Sequence, residues 1–122
     1  MTRAQLLPFP GLALVIGLAY ILGDQRRTAA PSFLVAKSLA PMWVWGALFV
    51  LGATVMYAAL ATHSPRLMAT ALLIGGGIFA WWSVLLFSAG VTDPRGSLNA
   101  WAAYGFIAFG HYYAAHRIRV RR

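Results

Sequence analysis

The chain has 122 residues, 61% of them hydrophobic and only 10% charged, with no cysteine and a mean hydropathy of +0.71. That composition excludes an ordinary soluble domain, which is roughly half apolar and a quarter charged, and a disordered chain, which is poor in apolar residues. The lack of cysteine excludes disulfide scaffolds, thiolate metal sites and paired-thiol oxidoreductases. The net charge of +8 sits wholly in connections and at the ends, which makes it a topology signal and not a nucleic-acid one.

A membrane-crossing helix needs about 20 apolar residues. The first run that qualifies goes from Ala4 to Leu22, with Pro8 and Pro10 suited to a helix start. It lacks a small-x-small cleavage site near Leu22 and reads as a retained span. The connection from Gly23 to Ala40 holds Asp24, Arg26, Arg27 and Lys37, then the apolar stretch SFLVAKSLA. This stretch reads either as a short interfacial helix, with Phe33, Leu34 and Leu39 on lipid and Lys37 in water, or as an N-terminal extension of the next span. In the first case Pro41 marks the kink.

The second run goes from Pro41 to Ala61 and the third, without any charge, from Leu67 to Val91. Between them Ser64 and Pro65 form an N-cap followed by a first-turn proline. The fourth run, Leu98 to Ala115, follows the turn Asp93-Pro94-Arg95-Gly96, with Ser97 as its cap, and is the weakest because it contains Asn99 and His111. Residues 116–122 form a basic tail. The two later connections, of about five or six residues, predict antiparallel neighbours in contact. The expected architecture is therefore all-α: one transmembrane domain over residues 1–122, with four transmembrane helices in an up-down bundle. In lipid each helix satisfies its own backbone, and the runs lack the alternation of a barrel.

With both termini in the cytoplasm, Arg3, Arg66, Arg117, Arg119, Arg121 and Arg122 lie inside, against Arg26, Arg27, Lys37 and Arg95 outside. That bias of six to four places both termini in the cytoplasm.

The spans contain little chemistry. No Glu occurs, and both Asp stand at span ends, so the embedded carboxylate of proton-coupled transport is missing. His111 is the one titratable group at depth, and it lacks a second histidine at similar depth for haem or further ligands for a metal. It reads as a neutral interfacial histidine bonded to a backbone carbonyl or a tyrosine hydroxyl. Ser83 and Ser88 have no base beside them and are expected to bond their own preceding turn. No enzyme activity, cofactor or nucleic-acid partner is expected; the expected partners are the lipid bilayer, further copies of the chain, and a larger membrane protein under the second reading below.

Trp43, Trp45, Trp101, Tyr104, Tyr112 and Tyr113 stand near span ends and read as interface anchors, with Arg117, Arg119, Arg121 and Arg122 holding the tail on anionic lipid. Trp81 and Trp82 fall in mid-run, either packed between helices or marking an off-centre span. Gly75, Gly76, Gly77 and Ala80 form a small-residue segment, and Ala13 with Gly17, Ala19 with Gly23, and Thr54 with Ala58 repeat the small-xxx-small spacing. The triple glycine marks a contact within the monomer, a contact between copies, or a flexible point.

The length, the four runs and the arginine tail from Arg117 to Arg122 together resemble the phage holins and holin-like lysis-cassette membrane proteins. The resemblance implies monomers that accumulate in the cytoplasmic membrane, associate through small-residue faces at Gly75, Gly76, Gly77 and Ala80, and open a lesion at a critical density. The competing reading is a non-enzymatic accessory protein that packs against a larger membrane complex or acts in phage exclusion.

Overall fold

In a computed structural model, which describes residues 3–22, 33–92 and 99–120, all regular structure is helical. The Asp24 to Arg27 segment, the turn from Asp93 to Gly96 with its cap Ser97, and Arg121 and Arg122 lie outside the described residues.

A short helix α1 (Arg3–Leu6) is followed at once by α2 (Pro8–Leu22). The break falls at Leu7 because Pro8 and Pro10 lack N–H groups; both sit in the first turn of α2, where those donors have no intrahelical acceptor. The Gly11 N–H donates to Leu7 O at 3.2 Å and restarts the ladder.

The segment before the second long helix folds as a separate helix, α3 (Leu34–Leu39), and not as an extension of α4 (Met42–Thr62). Ala40 is fully extended, with φ −162° and ψ 156°, because the ring of Pro41 disfavours helical geometry in the residue before it. The side chain of Trp45 closes the break: its Nε1–H donates to Ala36 O at 2.9 Å and to Ala40 O at 3.2 Å. Lys37 and Leu39 are exposed, as expected. Phe33 is not on the outside; it packs edge-on against Tyr20, with ring centroids 5.6 Å apart, and beside Trp82.

Only His63 and Ser64 separate α4 from α5 (Pro65–Thr92), so this connection is shorter than the five or six residues expected. His63 reverses the chain by adopting a left-handed conformation, φ 59° and ψ 14°, with its N–H on Leu60 O at 3.4 Å. Ser64 caps α5 as the sequence implied, its Oγ accepting from Leu67 N–H at 3.4 Å. Pro65 and Arg66 thus become the first turn of α5 and not loop.

The last helix, α6 (Asn99–Val120), runs past Ala115 through residues expected to form a tail. His116, Arg117 and Arg119 favour this continuation because cations interact well with the carbonyl end of a helix.

Each long helix runs antiparallel to the next. On α4 and α5, Trp45 meets Trp82, Phe49 meets Phe79 and Met56 meets Gly75; on α5 and α6, Ser83 meets Trp101 while Gly75 and Gly76 meet His111. Helices α2 and α4 approach most closely at Gly17 and Gly46. A Cβ on Gly17 would stand 2.7 Å from Gly46 O, and one on Gly46 would stand 2.6 Å from Gly17 O, so the two backbones touch.

Three helical stretches are long and apolar enough to cross a bilayer: Ala4–Leu22, Met42–Thr62 and Pro65–Ala89. Helix α6, with 22 residues or about 33 Å, has the length but not the same apolar content.

Candidate functional site

The feature that distinguishes the interior is a column of rings and polar groups along the centre of the bundle. Trp82 is 1% exposed and Trp81 is 48% exposed, because consecutive residues on a helix point about 100° apart. Of the two alternatives for this pair, Trp82 takes the first and packs between helices. Its Nε1–H donates to the Tyr20 hydroxyl at 3.1 Å, and that hydroxyl lies 2.9 Å from the Tyr104 hydroxyl. One chain of hydrogen bonds thereby joins α2, α5 and α6. Tyr104, expected as an interface anchor, is half-buried and turned toward the core.

The rings of Phe33, Trp45 and Phe49 enclose Trp82 at centroid distances of 5.7 to 6.0 Å. Trp45 is half-buried, its ring against Trp82 and its indole N–H on the backbone of α3. A second tie between α5 and α6 comes from Ser83, whose Oγ–H donates to Trp101 O at 2.6 Å. The expected bond to its own preceding turn is replaced because Gly105 leaves space for the hydroxyl; a Cβ there would stand 3.2 Å from Ser83 Oγ.

His111 continues the column toward the other end. It is fully buried inside the bundle, wedged between Phe9 at 4.7 Å and Phe79 at 5.0 Å between centroids. Its Nδ1 lies 2.8 Å from Ile107 O, one turn earlier on the same helix. A carbonyl only accepts, so Nδ1 carries the proton in this bond. Nε2 is buried and meets no hydrogen-bonding partner.

The chain matches no protein-family model, no curated protein and no solved structure.

The small residues singled out by spacing divide into two sets. Ala13 and Gly17 are buried against α4, and Gly75 and Gly76 face α6, where a Cβ would stand 3.0 Å from His111 Cδ2 and 3.1 Å from His111 Cβ respectively. Gly77 is different: a Cβ there would meet nothing nearer than the Tyr112 hydroxyl at 4.0 Å. Ala80 is half-buried, while Ala19, Thr54 and Ala58 face outward and Gly23 lies outside the described residues. Thr54 turns its hydroxyl back onto Val50 O at 2.9 Å.

Among the aromatic anchors, Trp43, Tyr112 and Tyr113 are exposed and Trp101 is half-buried against Phe87, at 5.1 Å between centroids. The Arg117 guanidinium lies 6.0 Å from the Tyr113 ring centroid, a cation–π contact, and Arg119 is exposed. The contributions of Tyr20, Phe49, Phe79 and Gly46 went unread in the sequence. A signal for α4 existed, since Met42, Gly46, Phe49, Ala53, Met56 and Leu60 recur every three or four residues and all are buried.

Chemically, this column holds helices in register. The indole N–H and the Tyr20 hydroxyl are engaged with each other and with Tyr104, and among the described residues no group of three or more His, Asp or Glu converges on a metal-sized space.

Proposed function

We propose that the chain is a four-span, holin-like protein of the bacterial cytoplasmic membrane, which self-associates and permeabilises that membrane in phage lysis. Helix α6 serves as the fourth span. It lies along α5 from the Ser83–Trp101 bond to the Gly75–His111 contact, and so shares the depth of a helix apolar enough to cross. Its polar groups Tyr104 and His111 are turned inward, whereas Ala102, Ala103, Phe106 and Phe109 face out. An average over the run counts the inward groups against it; lipid meets only the outward ones.

Helix α3 lies at the interface on the outer side, with Lys37 in water. Both termini face the cytoplasm, in line with the bias in Lys and Arg and with the shared cavity that Leu6, Ser64 and Ile118 line at one end of the bundle.

The observation that carries self-association is the notch at Gly77. It lies on the face of α5 formed by the exposed Ile74, Trp81 and Val84, and a Cβ there would meet only the Tyr112 hydroxyl, at 4.0 Å. A small residue between large ones on an outward face lets a second helix approach closely. Gly75 and Gly76 are engaged inside the monomer, so the contact between copies moves one residue along from the middle of the triple glycine.

The chain has no native cysteine, so an Ile74→Cys variant reports on this face without background. Oxidation in membranes should yield a disulfide dimer, with a ladder of larger species on amine crosslinking, and Gly77→Leu should abolish both while leaving membrane levels unchanged. A single stoichiometric heterologous partner on mild detergent extraction supports instead the accessory reading, which the complete internal use of Gly17, Gly46, Gly75 and Gly76 favours.

A further inference from the structure

The end of the bundle that holds the α4–α5 turn bears an open cavity of about 290 Å³, lined by Leu6, Ala59, Leu60, Met68 and Ile118 with His63 and Ser64 as its polar edge. Helix starts, a helix end and the α4–α5 turn meet there, so the cavity stands where the aqueous end of the protein passes into lipid. An apolar groove of about 260 Å³ on the outer side of the same α4–α5 hairpin shares Ala59 with it and continues along Ala58, Thr70, Ala71 and Ile74 into the hydrocarbon.

The charge around this end is one-signed. Arg66 follows directly on the cavity-lining Pro65, Arg117 and Arg119 flank the cavity-lining Ile118, and Arg66 and Arg119 are exposed. The only carboxylates of the side chains are Asp24 and Asp93, and neither belongs to the described residues. No side-chain carboxylate stands among the described residues to pair with these cations, and Arg117 lies over the Tyr113 ring. Ser64 Oγ accepts from Leu67 N–H, which leaves its own hydrogen to donate outward.

We infer that this end of the bundle binds an anionic phospholipid, with the phosphate held by Arg66, His63 and the Ser64 hydroxyl and an acyl chain in the groove past Ala59. A lipid fits better than a free phosphate because the polar edge opens onto apolar surface, which a soluble anion leaves unused. The inference rests on the membrane-spanning helices and not on self-association.

The test is native mass spectrometry of the intact protein released from nanodiscs that contain equal amounts of phosphatidylglycerol and phosphatidylcholine. Bound phosphatidylglycerol should predominate. Arg66→Glu, an exposed change that leaves the protein extractable only by detergent, should lower that preference at least fivefold, roughly the effect of one cation at an anionic surface. Ala58→Phe, an exposed change that fills the groove, should lower total lipid retention. Equal retention of the two lipids, a preference unaltered in Arg66→Glu, or displacement of the bound species by inorganic phosphate overturns the inference. Since none of these readouts depends on oligomers, their failure is separate from a failure of the lysis reading.

Discussion

Tyr20 is the residue on which the centre of the bundle depends, because its oxygen is the acceptor for the Trp82 indole and the neighbour of the Tyr104 hydroxyl. Tyr20→Phe strands a buried indole N–H and is expected to cost about 1–3 kcal/mol, whereas Tyr104→Phe leaves the Trp82–Tyr20 bond in place and should cost about 0.5–1.5 kcal/mol. Thermal unfolding in detergent compares the two, and equal losses would count against the chain of bonds as described. His111 presents the opposite case. Its Nε2 is buried without a partner, so His111→Phe removes an unsatisfied group and extends the ring packing with Phe9 and Phe79. Stability should stay within about 1 kcal/mol of the parent or rise. A loss above about 3 kcal/mol would mean that Nε2 is engaged in the native membrane. These roles were hard to read beforehand for a physical reason. In lipid both faces of a helix are apolar, so periodicity barely separates inside from outside, and neither the packing of Phe33 on Tyr20 nor the bond of Ser83 to Trp101 has a signal in the sequence.

At the level of elements, the sequence was more informative where a residue type acts on its own backbone. Pro8, Pro41 and the Ser64-Pro65 pair mark helix starts whose geometry follows from a missing N–H or a capping hydroxyl, and the structure carries all three. Helix α6 continues past the end of the apolar run at Ala115 because hydropathy measures solvent preference, while helix continuation depends on backbone bonding that Arg supports as well as Leu does. The same distinction underlies the proposal that α6 spans the membrane: the polar side chains of its middle, Tyr104 and His111, are turned into the protein. The absence of cysteine makes this testable by single-cysteine labelling with a membrane-impermeant thiol reagent. Arg119→Cys and Ser64→Cys should label from one side and Asn99→Cys and Lys37→Cys from the other. Labelling of positions 99 and 119 from the same side would reduce the spans to three.

For the whole molecule, the packing divides small residues between two tasks. Gly17, Gly46, Gly75 and Gly76 allow the helices of one chain to close on each other, and Gly77 alone of the triple leaves its surface open. A Gly76→Leu change should therefore unfold or loosen the monomer, since a Cβ there would stand 3.1 Å from both His111 and Tyr112. Gly77→Leu should leave the monomer folded and act only between monomers. Pairing the two substitutions separates loss of fold from loss of association, which a single glycine mutant cannot do. The measurement that bears most directly on the proposed function is the membrane potential of cells followed by a voltage-sensitive dye after induction of the chain. Self-associating lysis proteins should produce a delay followed by abrupt depolarisation once a threshold amount is in the membrane, with Gly77→Leu lengthening the delay or abolishing the event at the same membrane level. Accumulation of the unmodified chain to high level with the potential intact would contradict the account.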